Sequence, residues 1–300
     1  MSETAAGVRR WEPVDAVAFG WYVLLLALTL LELGNLPRAS LFLLAEAVGL
    51  LGCLAVPILA RMLPSGRALA LRAVAFCVLV PLGFEIVGRL VPYASPVSRE
   101  SWLVAADKRI FGSDPTHWAG ETEMWPWLTE ILQWIYSSFY FLPIVLAIRL
   151  AIRKRTKALE DSMLVIVLGF YLSYLGYFLV PARSPYHLFQ YPFEFEGLFA
   201  TRWIRATLDR LEGLKYDCFP SGHSQIAMLL AALAWAHDRT SFWWFFGPIG
   251  VLLPLSTIYL RYHYGVDVLA AVLFAAATWW AARRIAPLPP RDETAGHRAA

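Results

Sequence analysis

Two short groups of residues in this sequence have types and spacings that suit phosphoryl transfer. The first is Pro220-Ser221-Gly222-His223, directly before an apolar stretch. This arrangement predicts a helix start with Ser221 as its N-cap, and the free amides of a first helical turn attract an anion. Gly222 would let such an anion approach the backbone closely, and His223 lies in the same turn. The group therefore predicts an anion site with an imidazole beside it.

The second group is His263 and Asp267, which are four residues apart and would share one face of a helix. A carboxylate in that position can hold an imidazole in one tautomer and stabilise its charged form, as in catalytic triads. We therefore expect His263 to attack phosphorus and Asp267 to orient it, while His223 protonates the leaving alkoxide.

The negative charge of a phosphate also requires cations or amides beside its oxygens. Arg183 offers a forked cation of the kind that suits phosphate. Ser221 and the Gly222 amide are expected to stabilise the same oxygens. Because these groups supply the electrostatic stabilisation, the sequence predicts neither a metal ion nor another cofactor.

The composition excludes an ordinary cytosolic enzyme. Of the 300 residues, 58% are hydrophobic and only 16% are charged, whereas soluble domains carry about 25% charged residues. The sequence contains no acidic or basic block of the kind that binds nucleic acid, so no nucleic acid partner is expected. The three cysteines, Cys53, Cys77 and Cys218, are not spaced like metal ligands.

Hydropathy predicts an all-α integral membrane bundle of about eight transmembrane helices, since roughly 20 mostly apolar residues are needed to cross a bilayer. The spans lie at about 15–34, 39–60, 68–90, 131–152, 161–181, 222–237, 242–259 and 266–283. We expect a two-span N-terminal extension over 1–67, a catalytic membrane domain with a core of six spans over 68–286, and a disordered cytoplasmic tail over 287–300.

Basic residues predict the orientation of the bundle. The strongest cluster lies between the fourth and fifth spans and consists of Arg153, Lys154, Arg155 and Lys157. Short basic loops stay in the cytoplasm, so both termini are predicted to be cytoplasmic. The candidate site residues then meet on the outward face, and the Ala-, Leu- and Arg-rich composition indicates a bacterial cytoplasmic membrane.

Two long outward segments, 91–130 and 182–221, are predicted to contain amphipathic surface helices. In the second, one helical face is apolar and the opposite face, which includes Arg205, is charged. Such a helix is typical of one that lies on the membrane surface. The residues of the apolar face are Phe199, Trp203, Ile204, Leu208 and Leu211.

Together these motifs resemble the signature of the type 2 phosphatidic acid phosphatase superfamily. That signature has three parts: Lys-x6-Arg-Pro, Pro-Ser-Gly-His and Ser-Arg-x5-His-x3-Asp. The second part is present in full at 220–223, and the third is matched at Ser256, His263 and Asp267. The resemblance extends over roughly residues 80–284. It implies that His263 is the nucleophile, that His223 is the acid and that Asp267 supports His263.

The sequence departs from this signature at two places. Thr257 replaces the arginine of the third part, and the first part is reduced to Arg183-Ser184-Pro185, with Gly176 where the signature has lysine. With these departures, the motifs resemble those of the inositol phosphorylceramide synthases, a branch whose members are phosphotransferases. The stretches 107–115 and 136–140 also resemble that branch.

Arg261 is a candidate replacement for the missing arginine because it is close to His263 in sequence. An offset of two residues on a helix would point it away from His263, however.

The resemblance implies a metal-independent lipid phosphatase or phosphotransferase. Its substrate would be a phosphorylated lipid that arrives sideways from the bilayer. The lipid, the choice of water or alcohol as acceptor and the oligomeric state are left open. Three alternatives also stay open: a phosphate- or lipid-binding transporter that uses the same pocket without cleavage, a vanadate-dependent oxidant, and a pseudoenzyme. Eight predicted spans argue against the vanadate-dependent oxidant. The loss of the signature arginine at Thr257 leaves the pseudoenzyme open.

Overall fold

A computed structural model of the chain describes residues 11–117, 125–193, 196–212 and 216–287. In these residues the regular structure is helical, apart from one isolated β-bridge between Ala182 and Asp217. The all-α prediction is therefore confirmed. The side chain of Leu211 and the predicted tail beyond Pro287 lie outside the described residues.

The main helices are numbered here in chain order. They are α1 (Pro13–Leu31), α2 (Ala39–Ala60), α3 (Ser65–Ala94), α4 (Glu100–Phe111), α5 (Pro126–Ser137), α6 (Leu142–Ile152), α7 (Thr156–Leu179), α8 (Thr201–Glu212), α9 (Gly222–His237), α10 (Gly247–Tyr259) and α11 (Gly265–Ile285). Short helical turns at Arg239–Ser241 and Phe242–Phe246 lead into α10.

Six of the predicted spans are helices long and apolar enough to cross a membrane: α1, α2, α3, α7, α11 and the segment Arg239–Tyr259. The chain is therefore an integral membrane protein. The predicted fourth span, 131–152, differs because a 3₁₀ turn at Ser138–Tyr140 follows α5, and the segment Pro126–Tyr140 meets α6 at an angle of 61°. Pro143 lies in the first turn of α6 and has no N–H to continue the helix that precedes it. The continuous apolar stretch therefore forms a bent pair of helices.

The predicted sixth span is α9, which has 16 residues. At 1.5 Å per residue this helix is about 24 Å long, shorter than a typical span. It packs against α7, α10 and α11, and most of its side chains are buried. Because α9 is enclosed by other helices, it connects the two ends of the bundle without having to match the bilayer by itself.

The helices of the N-terminal extension belong to the same hydrophobic core as the rest of the bundle. Trp21 of α1 stacks on Tyr171 of α7, with ring centroids 5.0 Å apart. Asp15 of α1 forms a buried ion pair with Arg72 of α3 at 3.0 Å. The expected division after residue 67 falls inside α3, since that helix begins at Ser65.

The basic cluster and the candidate site lie at opposite ends of α9. At its C-terminal end, Asp238 accepts hydrogen bonds from Arg149 and from Arg153, the latter at 3.2 Å. Burial alone would raise the pKa of Asp238, but the hydrogen bonds from Arg149 and Ser241 lower it, so the carboxylate stays charged between two arginines. The N-terminal end of α9 carries His223.

Candidate active site

His263 lies in the link between α10 and α11, and only 4% of the residue is exposed. Its Nδ1 is 2.9 Å from the carbonyl oxygen of Cys218. A carbonyl oxygen accepts hydrogen bonds but cannot donate them, so Nδ1 carries the hydrogen and Nε2 keeps its lone pair. The fold thus sets the tautomer in which Nε2 is a nucleophile.

Asp267 contacts His263 as predicted, but for a different reason. The distance between His263 Nδ1 and Asp267 Oδ2 is 3.5 Å. His263 is not helical, however, because α11 begins at Gly265 and Tyr264 is its N-cap. Asp267 belongs to a capping box in which its Oδ2 accepts the Tyr264 amide at 2.9 Å. Helix capping therefore places the carboxylate that faces His263.

Cys218 completes this cluster. The sequence places it just before the Pro220–His223 motif but gives it no chemical role, because a single cysteine has no spacing pattern. Its thiol donates to Asp267 Oδ2 at 3.0 Å and lies 3.6 Å from His263 Nδ1. Burial and the charge of Asp267 raise the pKa of the Cys218 thiol well above its usual value. Sulfur, nitrogen and carboxylate oxygen in this cluster all lie within 4.8 Å of one another, as in a metal site.

His223 lies in the first turn of α9, and the structure brings it next to His263. The centroids of the two imidazoles are 6.0 Å apart, a separation at which both rings can contact one phosphoryl group. Tyr136 stacks on His223 with centroids 4.4 Å apart, and Phe139 packs against it at 4.1 Å. The break between α5 and α6 lies beside these two aromatic residues, so the bent pair of helices forms one wall of the site.

Ser221 is the N-cap of α9, as predicted, and its Oγ accepts the Ser224 amide at 3.3 Å. Its hydroxyl also donates to Ser224 Oγ at 2.9 Å, and the side chain is fully buried. Packing against α7 requires glycine at position 222, which the sequence did not predict. A Cβ at this position would lie 2.8 Å from the Tyr177 hydroxyl, so glycine allows the close approach of α7. The contribution of this turn to an anion site therefore comes chiefly from its amides.

Asp107 of α4 supports the same region and was not predicted as a site residue. Its carboxylate accepts the amides of Gly265 at 2.8 Å and Val266 at 2.7 Å. Burial raises the pKa of Asp107 to about 6, although the two amide hydrogen bonds lower it. Asp107 thus holds the start of α11, from which Asp267 projects. The one sequence feature that could have indicated Asp107 is the resemblance of the stretch 107–115 to the inositol phosphorylceramide synthases.

Arg183 is brought to the same end of the bundle by the pairing of Ala182 with Cys218, whose amide donates to the Ala182 carbonyl at 3.2 Å. The Arg183 guanidinium binds Glu100 of α4 at 3.2 Å. Burial would raise the pKa of Glu100, but hydrogen bonds from Ser98 and Arg183 lower it, so the pair is ionic. Arg183 is therefore a cation held in place by a carboxylate.

Arg261 is buried, with its guanidinium 4.1 Å from the centroid of the Tyr191 ring. The prediction that a helix would orient Arg261 is wrong, because the residue lies in the link after α10 with a φ of 63°. Its carbonyl accepts the Tyr186 amide at 2.9 Å and Ser184 Oγ at 3.1 Å. Arg261 therefore joins the 184–186 segment to the link that contains His263.

Arg205 is the main residue that sequence reasoning missed, because the pattern placed it on the charged outer face of α8. Its guanidinium instead covers the ring of Tyr186 at 3.6 Å and that of Tyr262 at 5.3 Å. It donates to the Leu260 carbonyl at 3.3 Å. Arg205 thus lies beside the residue that precedes His263. Thr257, which replaces the arginine of the signature, does not take over this role. Its hydroxyl donates to the Pro254 carbonyl at 2.7 Å within α10.

Glu130 of α5 fixes α8 over this region. Its buried carboxylate accepts the amides of Leu198 at 3.0 Å, Ala200 at 3.1 Å and Thr201 at 3.2 Å, and the Thr201 hydroxyl at 2.8 Å. The amides of Ala200 and Thr201 are among those that a helix start leaves unpaired.

The amphipathic prediction for α8 is correct in part. Ile204 and Leu208 pack against Leu132, Leu260 and Tyr262. Phe199 and Trp203 point outward, 78% and 68% exposed.

A family model described as the PAP2 superfamily matches residues 101–281, which is more than half of the chain. No curated protein and no solved structure matches the chain significantly. The matched range includes α4 from its second residue onward, His223, His263 and Asp267. The chain belongs to the PAP2 superfamily.

Proposed function

We propose that this chain is a membrane lipid phosphatase or phosphotransferase that works through a phosphohistidine at His263. Membership of the PAP2 superfamily supports phosphatase or phosphotransferase activity on a lipid phosphate. The observation that carries the specific proposal is the hydrogen bond from His263 Nδ1 to the Cys218 carbonyl, with His223 beside it. Together they supply a nucleophilic nitrogen and a second imidazole for one phosphoryl group.

In the first step His263 Nε2 forms a bond to phosphorus, and the bond from phosphorus to the alkoxide of the lipid breaks. A protonated His223 donates its proton to that alkoxide. His263 becomes a phosphorylated imidazolium, whose positive charge Asp267 stabilises across 3.5 Å. In the second step water or an alcohol attacks phosphorus, His223 takes its proton, and His263 is released.

The transition state places negative charge on the phosphate oxygens, and three arginines at this end of the bundle are suited to it. Arg183 and Arg205 are held by Glu100 and by the Tyr186 ring, so little side-chain freedom is lost on binding. Arg261 is buried nearby. The first-turn amides of α9 add neutral donors. These groups provide in this chain what the arginine missing at Thr257 provides elsewhere in the superfamily.

The substrate is proposed to be a lipid phosphate or phosphodiester that approaches from the bilayer on the extracytoplasmic face. Exposed apolar side chains surround the site end of α5 and α8, which suits a surface in contact with lipid. They are Trp125, Trp127, Ile131, Leu198, Phe199 and Trp203. The similarity of 107–115 and 136–140 to inositol phosphorylceramide synthases supports an alcohol as the acceptor.

The test is to incubate the purified chain with a panel of phosphorylated lipids, with and without alcohol acceptors, and to identify products by mass spectrometry. The unmodified protein should release or transfer phosphate in the presence of chelators, and His263→Ala should show no turnover above background. His237→Ala, at the opposite end of α9, is the matched control and should stay active. Full activity in His263→Ala, or movement of intact lipid between leaflets without cleavage, would contradict the proposal.

A further inference from the structure

The side chains of Cys218, His263 and Asp267 form a triangle of groups that are able to bind a metal ion. Cys218 Sγ is 3.6 Å from His263 Nδ1 and 3.0 Å from Asp267 Oδ2, and the two latter atoms are 3.5 Å apart. All three residues are at most 4% exposed. They come from two separate segments, the turn before α9 and the start of α11, which the fold brings together.

The size of this triangle suits a tetrahedral zinc ion. With Zn–S near 2.3 Å and Zn–N and Zn–O near 2.0–2.2 Å, tetrahedral geometry separates sulfur from nitrogen or oxygen by about 3.6 Å and nitrogen from oxygen by about 3.4 Å. Two of the three observed distances agree, and the distance from sulfur to oxygen would have to open by about 0.6 Å. The fourth position is left for water.

A second observation indicates that the carboxylate has capacity for a cation. Asp267 is fully buried, and its Oδ1 has no hydrogen-bond partner among the residues that the structure describes. A buried carboxylate oxygen without a donor is costly, and a cation that the carboxylate contacts through both oxygens would satisfy Oδ1 as well as bind Oδ2. Thiolate, imidazole and carboxylate together favour zinc over magnesium or calcium.

We propose that Cys218, His263 and Asp267 form an inhibitory site for Zn²⁺. Binding releases the thiol proton to solvent and moves the imidazole hydrogen from Nδ1 to Nε2, because the metal takes the Nδ1 lone pair. Nε2 then has no lone pair with which to attack phosphorus. The inhibitory effect rests on the proposed function, whereas metal binding at these three residues does not.

We expect Zn²⁺ at this site to inhibit noncompetitively with respect to the lipid. The ion binds on the Nδ1 side of the ring, whereas the phosphate binds on the Nε2 side, so Zn²⁺ should lower kcat and leave KM unchanged. Because the three ligands are buried, inhibition should develop with time and be reversed by a chelator. An ion that acted by binding the phosphate of the substrate would instead be competitive.

The experiment uses the full chain in lipid nanodiscs, with Zn²⁺ for inhibition and Co²⁺ as the spectroscopic probe. The unmodified protein and the control Cys77→Ser should each bind one Co²⁺ and show a thiolate-to-cobalt charge-transfer band. Cys218→Ser should lose the band and require at least roughly 100-fold more Zn²⁺ for half inhibition. Removing a residue that only supports a metal ligand can already lower metal affinity by about 100-fold, so removing a ligand itself should cost at least as much. Cys77 is exposed in α3, a helix that carries none of the three proposed ligands.

X-ray absorption at the zinc edge of the unmodified protein gives a result that does not depend on any variant. It should show one sulfur at about 2.3 Å together with nitrogen and oxygen ligands. A sulfur-free spectrum, a cobalt band that persists in Cys218→Ser, or purely competitive inhibition would overturn the site. If the metal signatures appear while no lipid phosphate is turned over, the proposed function fails and the zinc site stands.

Discussion

The reactivity proposed for His263 is set by its backbone partner as much as by its carboxylate. The Cys218 carbonyl at 2.9 Å fixes the hydrogen on Nδ1, and Asp267 at 3.5 Å is left to stabilise the charge that develops on the ring. This division of roles follows from the capping box, because Asp267 Oδ2 also receives the Tyr264 amide and the Cys218 thiol.

At the residue scale, Arg205→Gln should lower kcat/KM by roughly 10- to 150-fold. Charge-assisted hydrogen bonds contribute about 1.5–3 kcal/mol, and the proposed phosphate contact would be lost. The matched control is Arg202→Gln on the same helix, where the side chain is 91% exposed and pairs with Glu196. Steady-state kinetics on both variants, together with their melting temperatures, separate a catalytic effect from a structural one. Equal activity in the two variants would remove Arg205 from the site.

The sequence predicted the residues that meet at the candidate site but not the residues that hold them in place. His223, His263 and Asp267 belong to motifs with fixed spacing, so they could be identified without a structure. Arg205 and Cys218 act through contacts between segments that are distant in sequence. Periodicity within α8 cannot indicate that Tyr186 and Tyr262 lie beneath Arg205.

At the element scale, α8 is a surface helix that one buried carboxylate attaches to the bundle. Glu130 receives several hydrogen bonds from the start of that helix, while Ile204 and Leu208 pack beneath it. The sequence indicated the amphipathic helix, but its pattern could not indicate the partner that anchors it. Trp203 and Phe199 face outward because Glu130 and the buried pair fix the rotation of α8.

Replacing this carboxylate should loosen α8 while the bundle stays folded. Glu130→Gln leaves one carbonyl oxygen for several donors, so the free energy that opposes local opening of 198–208 should fall by about 1–3 kcal/mol. Amide hydrogen exchange of that segment measures the effect. Glu196→Gln, an exposed partner of Arg202, is the control. Unchanged exchange in Glu130→Gln would show that packing alone holds α8.

At the scale of the whole molecule, the bundle has a basic end and an end that carries the candidate site, and α9 joins the two. Hydropathy predicted most of the spans, since each needs only a long apolar stretch. It could not predict the 61° break before α6, because the apolar stretch is continuous there. In the structure a 3₁₀ turn at Ser138–Tyr140 and Pro143 together interrupt the α-helical hydrogen bonds. That break lies beside Phe139, which packs on His223.

The predicted sidedness can be tested with impermeant thiol reagents in a background of Cys77→Ser. We expect Arg202→Cys to be labelled in intact cells, because α8 would lie on the extracytoplasmic face. Lys154→Cys should be labelled only after the membrane is made permeable, since basic loops stay in the cytoplasm. Both positions are exposed. The reverse labelling pattern would place the active site on the cytoplasmic face.

The most direct test of the central claim is to trap the covalent intermediate. The purified chain is mixed with a lipid carrying a radiolabelled phosphate, quenched in alkali within milliseconds, digested and analysed by mass spectrometry. We predict that the label is found on His263, is stable to alkali and is lost in acid, and that His263→Ala carries none. Turnover of the lipid with no label on His263, or with the label on another residue, would contradict the account.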